Sequence, residues 1–121
     1  MEKIRLIGGV FALLSVVLGA FASHLFKKLI DEAYLQSFEV GLRYLMFHGL
    51  ALIILSLIPM EGKKIIYRFF MWGSILFSFS IFFLSFQSLI KLNLKWLGPV
   101  TPIGGTLLII GWIIFIINSI K

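Results

Sequence analysis

The stretch from Phe38 to Pro59, FEVGLRYLMFHGLALIILSLIP, constrains this chain more than any other. It is apolar enough and long enough to cross a bilayer as one helix, which takes about 20 residues. Yet it carries Glu39, Arg43 and His48. A charged side chain at the centre of a spanning helix costs about 2.5–3.5 kcal/mol on insertion scales, so such groups need a partner, water or a route to the interface. Any fold for this chain must therefore place one apolar helix in lipid and account for three ionisable groups on it.

Three further apolar runs have the same character. With 60% hydrophobic and 13% charged residues, the chain lies well outside the usual range for soluble domains, which are about 45–50% apolar and about 25% charged. The expected fold is all-α: an integral membrane bundle of four transmembrane helices over about 4–24, 38–59, 66–90 and 102–119, as one domain over 1–121. The chain has no cysteine, which excludes disulfides, thiolate metal sites and a cysteine nucleophile. The net charge of +6 does not indicate nucleic acid. The basic residues sit in short loops beside apolar segments, where they act as topology signals and contacts to anionic lipid.

The first run, with Lys3 and Arg5 ahead of it and Ala20-Phe21-Ala22 at its end, imitates a signal peptide cleaved after Ala22. Its small residues argue for a retained helix. Gly8, Ala12, Ser15, Gly19 and Ala22 are spaced four, three, four and three apart and fall in one narrow arc. Such a stripe admits a neighbouring helix closely. Phe26, Leu29, Ile30 and Ala33 then have amphipathic spacing, with Lys27–Asp31 and Lys28–Glu32 as i, i+4 pairs. A short amphipathic interfacial helix is expected here, between the first and second spans. The competing expectation is a helical connector continuous with the second span.

The third run places Ser74, Ser78, Ser85 and Ser88 on one line and Trp72, Phe79, Phe83 and Phe86 roughly opposite. Serines that pack between helices, with aromatics toward lipid, are the simplest account; a serine-lined polar conduit is the competing one. Before the last run, Thr101 suits an N-cap and Pro102 the first helical position. Gly104, Gly111 and Asn118 repeat every seven residues and give a close-packing side. Gly104-Gly105 could instead present backbone N–H groups to an anion.

Among the polar residues, Glu39 and Arg43 can pair on one helix face. They serve either as a structural ion pair or as an anion site, with Arg43 on a lipid phosphate and Glu39 holding it. His48 lies nine residues from Glu39, on roughly the opposite side, near Gly41 and Tyr44. This argues against a compact triad, and a buried neutral histidine bonded to a serine or to backbone on a neighbouring helix is expected rather than a proton carrier. His24 is expected near Glu39. Gln87 and Thr101 fall toward the same side of the membrane. No metal site is expected from His24, His48 and Glu39, which lack ligand spacing. No HExxH, GxSxG or phosphate loop is present.

Four segments occur in order: GAFASHLF (Gly19–Phe26), FEVGLRYLMFHGLAL (Phe38–Leu52), GSILFSFS (Gly73–Ser80) and GPVTPIGGTLLIIGW (Gly98–Trp112). With them the chain resembles the YgdD/YwdK-like small inner-membrane proteins over almost its whole length. The family pattern has Gly-Ala where this chain has Ala22-Ser23, and commonly Gln where it has Leu45; His24, Arg43, Tyr44 and His48 match. The resemblance implies a four-helix bacterial inner-membrane protein with a retained first span and no assigned activity. It supplies neither a catalytic residue nor a substrate.

The functional expectation is a non-enzymatic membrane protein, without cofactor, that packs with itself, with lipid or with a membrane-protein partner. The alternative is a small transporter or binder of an anionic lipid or metabolite through Arg43 and Glu39. Lys3, Arg5, Lys63, Lys64, Arg68 and Lys121 fall on one side. Lys27, Lys28, Lys91 and Lys95, with Arg43 if it counts, fall on the other. This distribution favours both termini in the cytoplasm, which is the expected orientation.

Overall fold

The computed structural model describes residues 2–121 and is helical throughout, with no strand among them. Four helices are long and apolar enough to cross a membrane: α1 (Glu2–Leu29), α2 (Glu32–Leu57), α3 (Lys63–Ser85) and α4 (Lys95–Ser119). Helices are the natural answer here, because in lipid every backbone N–H and C=O must be satisfied within the segment.

Short joints make sequence neighbours antiparallel. Between α1 and α2 the backbone is extended only at Ile30 and Asp31, and the Leu35 N–H closes the first turn of α2 on the Asp31 carbonyl at 2.9 Å. No separate interfacial helix forms between the first two spans. Residues 26–29 complete α1 and residues from Glu32 begin α2, because the chain turns at Asp31 and Phe26 is drawn inward against Phe38 and Phe86. The joint between α2 and α3 turns at Gly62, whose φ of +78° favours glycine. The Asn118 side chain donates to the Glu61 carbonyl at 3.1 Å and ties this joint to the end of α4.

α3 ends at Ser85 and α4 becomes regular at Val100, so the third span is shorter and the last begins earlier than the apolar runs suggest. The connection is a series of turns. Gln87 accepts the Leu94 N–H through Oε1 at 3.2 Å and closes it. Thr101 is not the N-cap. The helix already includes Val100, and Pro102 still falls in the first turn, where its missing N–H leaves no bond unmade.

α1 packs on α2, α2 on α3, and α3 on α4. Glycine contacts set two of these approaches. A Cβ on Gly8 would lie 2.6 Å from the Gly49 carbonyl oxygen, and one on Gly49 would lie 2.8 Å from that of Gly8. On the other side, a Cβ on Gly104 would fall on the backbone of Leu76 and Phe77, and one on Gly111 on the Phe70 ring. Between the two hairpins, Phe38, Phe82 and Phe86 pack with Phe26 at centroid separations of 4.7–5.6 Å. In lipid such packing stands in for the hydrophobic drive that lipid tails do not supply.

Both α1 and α3 contain a π-helical segment, Ala22–Phe26 and Ile75–Phe79. A π turn adds a residue and shifts the helix face that follows. In α3 it lets nearby serines serve different neighbours. Ser78 Oγ donates to the Gly41 carbonyl of α2 at 2.9 Å, whereas Ser80 shares a hydrogen bond with Thr101 of α4.

Candidate functional site

The polar groups of α2 divide by face. His48 is buried, whereas Glu39, Arg43 and Tyr44 are exposed at the surface of the bundle. The opposition expected from the nine-residue spacing thus holds at atomic detail, but the outcome for Arg43 is unusual: it faces outward from within a spanning helix. Among the described residues neither Glu39 nor Arg43 takes part in an ion pair. On an exposed face nothing fixes two long side chains in one geometry, so i, i+4 spacing permits a pair without enforcing it. His24 is likewise exposed, in the π segment of α1, and among the described residues it forms no ion pair with Glu39.

His48 is the best-defined polar centre. Its Nδ1 lies 2.7 Å from the Tyr44 carbonyl oxygen, and its Nε2 lies 3.0 Å from Trp112 Nε1. Indole is a donor only, so Nε2 must accept; Nδ1 therefore carries the proton and donates to Tyr44. This assigns the neutral Nδ1–H tautomer from the bonding network. The ring also packs edge-on against Phe70, with centroids 5.2 Å apart, and stacks on Tyr44. Both nitrogens are committed to structure, and the bond bridges α2 to α4 across α3.

Trp112 and Gly49 are the residues that spacing did not single out. Trp112 pairs with His48 across 64 positions, a partnership without a local signal. Gly49 follows His48 directly, but its role emerges only with Gly8 opposite it.

The small-residue positions fare unequally. Gly8, Ser15 and Ala22 are buried and Ala12 is half-buried. Gly19 has only ordinary contact: a Cβ added there would lie 3.9 Å from Leu42 Cδ1. Ser15 and Ser85 bond to carbonyls on their own helices, and Ser74 is buried without a hydrogen-bond partner among the described residues. Ser88 lies beyond the helix, exposed, and Phe86 joins the aromatic cluster instead of facing lipid. Gly104 and Gly105 cannot cradle an anion. They lie past the first turn of α4, inside the hydrogen-bonded ladder, and Gly104 is pressed against α3.

Near the α3–α4 turn, Tyr34, Ser37, Gln87 and Thr101 edge a cleft of about 460 Å³. The Ser80–Thr101 bond lies at its α4 side. Replacing Ser80 by Ala is expected to cost about 0.5–1.5 kcal/mol, with most of that loss absent in a Thr101→Val background. A double-mutant cycle of unfolding in mixed micelles measures it; additive effects would mean the bond contributes nothing.

The fold and these contacts define a class: a small four-span membrane protein with an aromatic–histidine centre and an outward-facing arginine. Residues 18–105 match the family described as "Protein of unknown function (DUF423)". A UPF0382 membrane protein of Staphylococcus aureus (strain bovine RF122 / ET3-1) is 39% identical over 123 residues, covering 100% of this chain and 98% of the relative. The UPF0382 membrane protein YwdK of Bacillus subtilis (strain 168) is 32% identical over 126 residues, with the same coverage. The chain belongs to the DUF423 family. No solved structure matches it.

Proposed function

We propose that this protein is a non-enzymatic multi-pass protein of the bacterial plasma membrane that works through lateral contact, with anionic lipid as the contact at the Glu39–Arg43 face. The observation that carries this reading is the exposure of Arg43 on α2, without an ion pair among the described residues. Arg43 lies about 6 Å deeper along the helix than Glu39. Helical side chains incline toward the helix N-terminus, so its guanidinium reaches back to the interface, where phosphates lie. Glu39 stands in position to orient it.

Two further features support contact over chemistry or conduction. His48, the buried histidine, has both nitrogens engaged, and the interior between the hairpins is filled by Phe26, Phe38, Phe82 and Phe86. Gly8 on α1 and Gly104 and Gly111 on α4 are already packed against neighbouring helices within the chain, which favours lipid over a second copy as the occupant of the remaining faces. The excess of Lys and Arg beside the termini and the α2–α3 joint supports a cytoplasmic location for both ends.

Native mass spectrometry of the chain released from phosphatidylglycerol-containing nanodiscs tests the reading. Retained phosphatidylglycerol is expected, falling about fivefold in Arg43→Gln if one cation near the surface contributes about 1 kcal/mol. Equal retention would remove the lipid contact at this face. A lipid-free complex of defined mass would favour a protein partner there.

A further inference from the structure

A second arginine stands over a groove that the Glu39–Arg43 face does not include. Between α3 and α4 runs a furrow of about 470 Å³ lined by Ile65, Arg68, Phe69, Trp72, Leu76 and Leu107. Arg68 is the one charged residue in this lining. The other walls are apolar, and Trp72 is half exposed. Arg68 is exposed one turn after exposed Lys64, and neither takes part in an ion pair among the described residues.

Depth and chemistry agree on an occupant. α3 begins at Lys63, so Arg68 lies about 7.5 Å from the helix start and its side chain inclines back toward the α2–α3 joint, at the interface. From Arg68 to Leu76 the furrow descends about 12 Å, close to the depth of one leaflet, which is about 15 Å. A guanidinium matches a phosphate through two parallel N–H···O bonds. A partner helix suits the furrow less well. Close helix approach needs small residues at the contact, whereas these walls are Ile, Phe, Trp and Leu; Gly73, Gly104 and Gly111 are buried between α3 and α4.

We infer that this furrow seats one acyl chain of an anionic phospholipid whose phosphate meets Arg68, in the leaflet on the side of the α2–α3 joint. Lys64 adds positive potential beside the headgroup. The site stands independently of the Arg43 contact, which lies toward the opposite membrane face.

The test uses the full chain in phosphatidylcholine nanodiscs doped with phosphatidylglycerol that carries a mid-chain diazirine. Photolabelling is mapped by peptide mass spectrometry. Label is expected on the segments containing Phe69, Trp72, Leu76 and Leu107. Unlabelled phosphatidylglycerol should compete about fivefold better than phosphatidylcholine. Arg68→Gln should bring that preference below about twofold, with the circular dichroism of the wild type, while Arg43→Gln leaves labelling of the furrow unchanged. Label spread evenly over all exposed faces, or equal competition by the two lipids, would overturn the assignment. If Arg68→Gln does not fold, Leu107→Trp, which narrows the furrow, decides the matter: persistent labelling at Trp72 refutes the site, and its loss supports it.

Discussion

Gly104→Ala is expected to destabilise the bundle by about 3 kcal/mol, the upper end of the usual range for overpacking. One methyl group suffices because of what it would meet. The added Cβ would lie 2.8 Å from the carbonyl carbon of Leu76 and from the Cα of Phe77. These are backbone atoms of a neighbouring helix, and no rotamer change moves them aside. The two helices would have to part, and the nearby contacts of Gly73 with Leu108 and Gly111 with Phe70 would loosen with them. Gly9→Ala is the matched control. Nothing lies within 4 Å of its Cβ position, so removing a mid-helix glycine there should stabilise α1 by about 0.5–1 kcal/mol. Equilibrium unfolding in mixed micelles compares the two directly. A Gly104→Ala protein as stable as the wild type would mean that α3 and α4 do not approach this closely.

The second large effect is expected at His48. His48→Ala should cost about 2–3 kcal/mol, combining the lost ring packing against Phe70 and Tyr44 with an indole N–H left without its acceptor. Trp112→Phe, which keeps an aromatic ring and removes the donor, should cost about 1 kcal/mol, as interhelical hydrogen bonds in membranes usually contribute. The informative comparison is His48→Gln with His48→Leu. Leucine is the better residue for lipid. Glutamine retains a carbonyl for Trp112 and an amide for the Tyr44 oxygen. If the bond between α2 and α4 governs stability, the glutamine variant unfolds at the higher denaturant concentration. The reverse order would assign His48 to packing alone.

These two sites show what the fold is built from. Two helical hairpins are each closed by glycine, α1 on α2 at Gly8 and Gly49, and α3 on α4 at Gly104 and Gly111. Across the hairpins, phenylalanines fill one end and the His48–Trp112 bond ties the middle. The polar atoms within this framework are largely bonded: Ser78 to α2, Ser80 to Thr101, Gln87 to its own turn. Arg43 and Arg68 are both on the outside.

Much of this was legible in residue order. Four apolar runs of spanning length determine a four-helix membrane protein, because lipid leaves the backbone no alternative to internal hydrogen bonding. Helical periodicity separates His48 from Glu39, since about 3.6 residues per turn puts positions nine apart on opposite sides. The sequence also marks Gly8 and Gly104 as members of small-residue sides. It does not rank them, however: Gly19 shares the stripe yet touches almost nothing, while Gly49 outside the stripe is pressed on Gly8. Nor does it reveal Trp112 as the partner of His48, the turn at Asp31 that leaves no separate interfacial helix, or the π segment that divides Ser78 from Ser80. Each depends on where a second helix lies. Periodicity is a property of one helix, and which residues touch is decided only when the hairpins pack.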